Sequence, residues 1–269
     1  MNSNQTFYMC PPTYYEIKYI INDWMVEDSQ INTDLAVEQW TSLYDAYLKL
    51  GVDVSLIDAV EGIPELTFAG DSVFLYGDQA ISSKFRHAER QPEVAPMAQW
   101  FSDLGFNVHT LPSGLHFEGN AEAVLWNDKL IGGYGIRSDA EVYPFISSLF
   151  DLEVVPLRLT NPFYHLDTCF CPLNAETIAF VPEAFDNPTR EYIANMAKNV
   201  IPIARQEAEF MACNSKSVGE TVIVSTRQSP QFVAKLRQLG LEVVELELSE
   251  FRKAGAGAKC LTLEAYQPV

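Results

Sequence analysis

The feature that most constrains this chain is a repeat. Five segments each set a polar residue ahead of an apolar, strand-like run: Asp71 in DSVFLYGDQAI, Glu118 in EGNAEAVLWNDKLIGGYG, His165 in HLDTCFCPLNAETIAFVP, Asn214 in NSKSVGETVIVST and Cys260 in CLTLEAYQPV. Successive lead residues stand about 47 positions apart, a period that marks architectures in which one supersecondary unit recurs and neighbouring units bury a shared core. Asn127-Asp128 and Gly219-Glu220 supply turn chemistry between apolar runs and predict hairpins. Between the hairpins the apolar spacing turns helical: over 37–50, Trp40, Leu43, Tyr44, Tyr47 and Leu48 share a face, and 93–104, 191–200 and 229–239 read similarly. Each leads into a further short run, VDVSLI, FNVHTL, LEVVPLRL, VIPI or LEVVELEL.

One module is therefore a hairpin, a helix and another strand. Five of them stacked radially make an α/β fold of the propeller type with pseudo-fivefold symmetry, read as a single domain over 1–269. In that arrangement the five lead residues meet in one central pocket. Taken singly, each also fits the plainer role of a polar cap at a strand start.

Charge narrows the partner. Thirty-six acidic against 18 basic residues give a formal net charge of −18, which disfavours the phosphate backbone of a nucleic acid and an anionic membrane surface alike. A small cation would be drawn in wherever some of that negative charge lines a cleft. The five cysteines, Cys10, Cys169, Cys171, Cys213 and Cys260, are few, odd in number and scattered, unlike a secreted disulfide framework. Cys169 and Cys171 lack the further ligands of a zinc site, so no metal is expected. MNSNQTFYMCPP has no basic stretch followed by an apolar run, and no 18-residue apolar run occurs. These features predict a cytoplasmic protein.

Cys260 sits in KAGAGAKCLTL, where Gly255 and Gly257 permit close backbone approach or positive φ. A thiol there can serve as a thiolate nucleophile if an imidazolium lies beside it. His165, in NPFYHLDTCFC, is the natural general acid/base near neutral pH, with Asp167 placed to orient it. Glu118, Asp71 and Asp78 offer carboxylates next to apolar runs, and a buried carboxylate cluster calls for a cation. Arg86, Arg90 and Arg137 stand out in an acidic chain and suit a substrate carboxylate. Acids at one end of a pocket and arginines at the other describe an amino acid with a cationic side chain. Packing for Cys260, a core position for His165 and surface ion pairs for the arginines are the alternative readings of each residue alone.

Seven segments together carry a resemblance: MCPPTYYEIKYIINDWM (9–25), FRHAERQPE (85–93), HFEGN (116–120), GYGIRSD (133–139), FYHLDTCFCPL (163–173), ACNS (212–215) and KAGAGAKCLTL (253–263). They resemble the guanidino-group-modifying, or pentein, superfamily of α/β propellers. Within it the likeness is greatest to the catalytic module of bacterial arginine dihydrolases, with arginine deiminases and dimethylarginine dimethylaminohydrolases more distant. The resemblance implies Cys260 as nucleophile, His165 as general acid/base and Glu118 as its guanidinium-binding partner. Arg90 and Arg137 would hold the substrate carboxylate, Asn22 matches the asparagine of the family's INPWM motif, and Asp71 and Asp167 join the substrate site. The implied reaction is hydrolysis at the guanidino carbon of arginine or a close derivative through a covalent amidino-thioether, without metal or organic cofactor. An amidinotransferase and a non-catalytic arginine-binding protein are the alternatives. Two departures stand out: the family's FTAN is matched to FLYGD, which puts Asp78 in place of asparagine, and its EGAGDAL reads EGNAEAV, which puts Glu122 in place of aspartate.

Overall fold

The computed structural model describes residues 5–268; residues 1–4, the start of the segment read for a leader, and residue 269 lie outside it. In chain order the elements are β1 (Thr6–Met9), α1 (Thr33–Lys49), β2 (Asp53–Leu56), β3 (Val73–Tyr76), β4 (Gln79–Ser82), α2 (Val94–Asp103), β5 (Asn107–His109), α3 (Gly119–Glu122), β6 (Ala123–Trp126), β7 (Lys129–Tyr134), α4 (Val142–Phe150) and β8 (Glu153–Arg158). They continue with β9 (Phe170–Asn174), β10 (Thr177–Phe180), α5 (Asn187–Ala194), β11 (Asn199–Pro202), α6 (Arg205–Ala208), β12 (Lys216–Val218), β13 (Thr221–Val224), α7 (Pro230–Gln238), β14 (Glu242–Glu245), α8 (Ser249–Arg252) and β15 (Leu263–Tyr266).

The strands sort into three-stranded units with one pairing rule: an antiparallel hairpin, then a strand parallel to the second. β3-β4-β5, β6-β7-β8, β9-β10-β11 and β12-β13-β14 all obey it. Parallel neighbours need a crossover, and α2, α4, α5 and α7 supply it. A further unit is built from both ends of the chain: β15 pairs antiparallel with β1, β1 pairs parallel with β2, and α1 is the crossover. β15 also pairs parallel with β3, so two units share a six-stranded sheet. The fold is thus mixed α/β.

Local chemistry accounts for the helices. Asn32 Oδ1 caps α1 by accepting from the Leu35 amide at 3.1 Å, and Asp186 caps α5 at Thr189. Met97 and Phe101, four apart on α2, share one face and bury against Tyr8, Val73 and Leu75. Two expectations need correcting. The helix expected over 191–200 ends at Ala194, because Asn199–Pro202 pairs with β10 as a strand. α4 has no counterpart among the expected helices; Val142, Ile146 and Phe150 form its buried stripe against Phe74, Phe117 and Leu130.

The lead residues stand just ahead of the first strand of each unit. Asp71, Glu118, His165, Asn214 and Cys260 are between 0% and 3% exposed. Among the described residues no helix is long and apolar enough to cross a membrane.

Candidate active site

Cys260 is positioned by its neighbours' backbone. Gly255 takes φ +79°, and its carbonyl accepts from the Tyr164 hydroxyl at 2.7 Å. A Cβ on Gly257 would lie 2.6 Å from Ser225 Oγ, so only glycine lets the loop pass. Asn214 fastens this loop: its Oδ1 accepts from the amides of Gly257, Lys259 and Cys260 at 3.0, 3.1 and 3.2 Å. Its Nδ2 donates to Cys260 Sγ at 3.1 Å.

The thiol donates to Asp167 Oδ2 at 3.3 Å. Burial, then the charges of Asp167 and Asp71, push the Cys260 thiol well above its ordinary range. Among the described residues the thiol's side-chain partners are Asn214 and Asp167, and no hydrogen bond joins it to His165. Asp167 does not orient His165 either; it faces Cys260, and burial raises its own carboxyl to about 7 despite the opposing pull of His165.

His165 is instead held by Glu118. Nε2 lies 2.6 Å from Glu118 Oε2, while Nδ1 has no hydrogen-bond partner among the described residues. Glu118 Oε2 also accepts from Arg137 Nη1 at 3.0 Å, and Oε1 accepts from the Arg86 amide at 3.0 Å. Burial alone would raise this carboxyl, but the His165 hydrogen bond and the Arg137 charge outweigh it and hold Glu118 below the usual carboxylate range. Both oxygens are thus engaged by the chain, Oε2 by His165 and Arg137 and Oε1 by the Arg86 amide.

Arg90 is engaged more fully than the sequence alone indicates. It is 2% exposed and its guanidinium is shared by three carboxylates: Glu93 at 2.7 and 2.8 Å, Asp71 at 2.5 Å and Glu65 at 3.0 Å. The Phe85 ring stacks 4.3 Å below. Arg90 is thus a buried cation held by the chain's own acids at the wall of the cavity that Cys260 also lines. Arg137, besides Glu118, donates to the Ile21 carbonyl at 2.8 Å and lies over Tyr164. It thereby ties the segment between β1 and α1 over the site. Asn22 secures the same segment, donating to Ala254 O at 3.0 Å and accepting from the amides of Trp24 and Met25.

Asp78 does not reach the site. It is exposed in the turn between β3 and β4, where its carbonyl accepts from the Asn107 amide. The acid that faces Cys260 from this unit is Asp71, in FAGD, which has the spacing of FTAN and precedes the strand instead of following it. Glu122 is fully buried and accepts from the Leu166 amide at 3.1 Å, so it braces the His165 loop. Burial, reinforced by Glu118, pushes its carboxyl well up. Glu65, Glu93, Tyr164 and the grip of Asn214 on the thiol are site features that the sequence reading lacks; for Asn214 the repeat was the available signal. Cys169 and Cys171 lie in the apolar core, each thiol donating to backbone carbonyls.

A cavity with about 230 Å³ of empty space opens onto these groups, lined among others by Asn22, Glu65, Asp71, Arg137, Tyr164 and Cys260. Asp71, Asp167 and Cys260 bring one oxygen, one oxygen and the sulfur within 4.8 Å of one another, all buried. That arrangement fits a small cation laid against a thiol.

Comparisons with known proteins point the same way. The family model for eukaryotic N,N dimethylarginine dimethylhydrolase matches residues 14–267. The bifunctional arginine dihydrolase/ornithine cyclodeaminase AgrE of Nostoc sp. is 39% identical over 100% of this chain and 39% of its own length. The N(G),N(G)-dimethylarginine dimethylaminohydrolase of Mycobacterium tuberculosis is 33% identical over 96% of this chain and 85% of its own. The product-bound N-terminal domain of ArgZ, an arginine dihydrolase, superposes with a TM-score of 0.93 at 36% identity, covering 99% of each chain. The chain spans about two fifths of the length of the bifunctional relatives it matches, 39% of AgrE and 38% of the Synechocystis ArgZ. With the family model covering nearly the whole chain, and relatives above 30% identity across it, this protein belongs to the dimethylarginine dimethylhydrolase family of guanidino-group-modifying enzymes.

Proposed function

We propose that this protein hydrolyses the guanidino group of arginine or a close derivative, with Cys260 as nucleophile, in one catalytic unit whose five modules are arranged radially as a propeller. The observation that carries this reading is the buried trio of Asp71, Asp167 and Cys260: two carboxylates converge on an uncharged thiol. A guanidinium laid between the carboxylates places its carbon against Sγ. Its positive charge also cancels the two negative neighbours that hold the thiol protonated, so substrate binding itself favours the thiolate, with the thiol proton passing to His165.

The thiolate then adds to the guanidino carbon, forming the C–S bond, and the C–N bond to the departing amine breaks. His165 supplies the proton to that amine; Glu118, ionised under working conditions, fixes the imidazole through Nε2 and leaves Nδ1 unpartnered. Water next gives a proton to His165 and attacks the amidino-thioether; the C–O bond forms, the C–S bond breaks, and Cys260 departs as thiolate. An ArgZ N-terminal domain variant covalently bonded to a reaction intermediate supports a covalent route in a relative.

Asp71 bears on the number of rounds. The first hydrolysis turns a cationic guanidine into a neutral ureido group, which gains little from two buried carboxylates. The site thus favours one release of ammonia or amine and a citrulline product, where the asparagine expected of dihydrolases would be indifferent to charge. Incubation with arginine and with Nω,Nω-dimethylarginine, followed by separation of citrulline, ornithine, ammonia and dimethylamine, tests both statements. Citrulline without ornithine is the expected result. Ornithine as the main product would overturn the single round, and no turnover of either guanidine would overturn the activity.

A further inference from the structure

The Lys259–Cys260 peptide separates two cavities. In front lies the substrate cavity; behind lies one with about 350 Å³ of empty space, lined among others by Asn120, Leu166, Asp167, Cys171, Lys216 and Lys259. The two have no lining residue in common. The rear cavity shares Val124, Pro172, Lys216 and Ser217 with a wider recess of about 640 Å³, and so opens away from the substrate side.

Three buried polar atoms of residues lining this rear cavity have no hydrogen-bond partner among the described residues: Lys259 Nζ, Asp167 Oδ1 and the uncharged amide oxygen Asn120 Oδ1. Lys259 is 6% exposed, and a buried ammonium without a partner is costly. The second lysine there, Lys216, donates to Glu264 Oε2 at 2.6 Å and is locally neutralised. Of the remaining groups that face Lys259, Tyr266 offers its ring at 5.9 Å, and Cys171 gives its thiol proton to the Ser215 carbonyl. Asp167 is then the carboxylate in the same low-dielectric space that is left to balance Lys259. Its other oxygen touches the nucleophile.

We infer that Lys259 is a positioning residue for the guanidino chemistry: from behind the nucleophile it holds Asp167 in its carboxylate form, ready for the substrate cation. This rests on the proposed roles of Cys260 and Asp167 in the hydrolysis. Burial, with Lys216 adding to it, brings Lys259 down to about 8, while Glu264 and Asp167 pull the other way. Burial takes Asp167 up to about 7, His165 and Lys259 opposing and Asp71 assisting. Asp167 therefore titrates where Lys259 is still charged. Loss of the lysine charge moves the Asp167 titration upward, and the difference vanishes above the pH at which Lys259 itself is neutral.

The test is the pH profile of kcat/KM for arginine in wild type, Lys259→Met and Lys259→Arg, with thermal midpoints alongside. For Lys259→Met the acidic limb shifts up by about one pH unit, giving about a tenfold loss near pH 6 and convergence with wild type above about pH 8.5. Lys259→Arg restores the limb. An unmoved limb, or a uniform loss at every pH with a lowered midpoint, would overturn the inference. Carboxyl-carbon NMR, with Asp167→Asn to identify the resonance, reads the Asp167 titration directly in wild type and Lys259→Met. If wild type proves inactive on guanidines, the catalytic reading falls while the NMR still decides whether Lys259 governs Asp167.

Discussion

Asp71 stands between two sites that use the same chemistry to different ends. On one side Arg90 is enclosed by Glu93, Asp71 and Glu65 and covered by Phe85, so that a guanidinium belonging to the chain is shared by three buried carboxyl groups. On the other side Asp71 and Asp167 converge on Cys260, and among the described residues no cationic side chain lies within hydrogen-bond distance of Asp167. The Arg90 cluster locks: breaking such a buried pair by removing one partner typically costs about 3–5 kcal/mol. At Cys260 a thiol takes the place of the third carboxylate, and recognition becomes reactivity. The protein's own guanidinium site is thus a guide to how it would treat a substrate's.

If that contrast is right, substitutions should separate the two sites. The largest effect belongs to Cys260→Ser. A serine hydroxyl still accepts from Asn214 and leaves the Arg90 cluster untouched, but its alkoxide is far harder to form than a thiolate at neutral pH. Turnover is expected to fall by at least about 10³-fold while the thermal midpoint stays within a few degrees. Steady-state assays and a melting curve on one preparation check this; retention of a tenth of the activity would remove Cys260 from the mechanism.

Asp71→Asn strikes both sites. It keeps the shape but takes one carboxylate from Arg90 and one from the substrate pocket. Arginine binding is expected to weaken by about 2–3 kcal/mol, while binding of neutral citrulline changes little, so the preference between them narrows. Calorimetry with both ligands on a Cys260→Ser background measures it. Equal weakening of the two ligands would mean that Asp71 serves only Arg90.

How much of this could be read from the sequence differs by site. The repeat placed Asp71, Glu118, His165, Asn214 and Cys260 at matching positions, because a strand start leaves the same trace in every unit. The Arg90 partners left none: Glu65 and Glu93 are two acids among 36, and nothing local marks a carboxylate as buried. Asp78 drew attention by following an apolar run, yet the site lies at the run's beginning, and the hairpin turn at the run's end returns Asp78 to solvent. α4 escaped because VYPFISSLF is apolar enough to read as strand or helix. The pairing of β1 with β15 joins residues at opposite ends of the chain, beyond the reach of any local pattern.

The smallest expected effect isolates the locking site through pH. Burial raises Glu65 to about 8, Arg90 opposing and Glu93 and Asp71 reinforcing, against an ordinary value of 4.5. The folded protein therefore keeps this proton up to about pH 8, whereas the unfolded chain releases it near 4.5. Between those limits the unfolded state binds fewer protons, so stability falls as pH rises; the contribution is complete below about 4.5 and gone above about 8. Asp167, raised to about 7, adds to the same slope from the substrate side. Glu65→Gln keeps a hydrogen-bonding side chain but cannot titrate. The decline in stability between about pH 5 and 8.5 should shrink by on the order of 2 kcal/mol, or about 5 °C in thermal midpoint for a chain of this size, leaving the part due to Asp167. Melting curves across that range on wild type, Glu65→Gln and Asp167→Asn apportion the slope between the two sites. Identical slopes in wild type and Glu65→Gln would show that Arg90 holds Glu65 ionised throughout, and the cluster would then be a set of permanent charges with no proton to exchange.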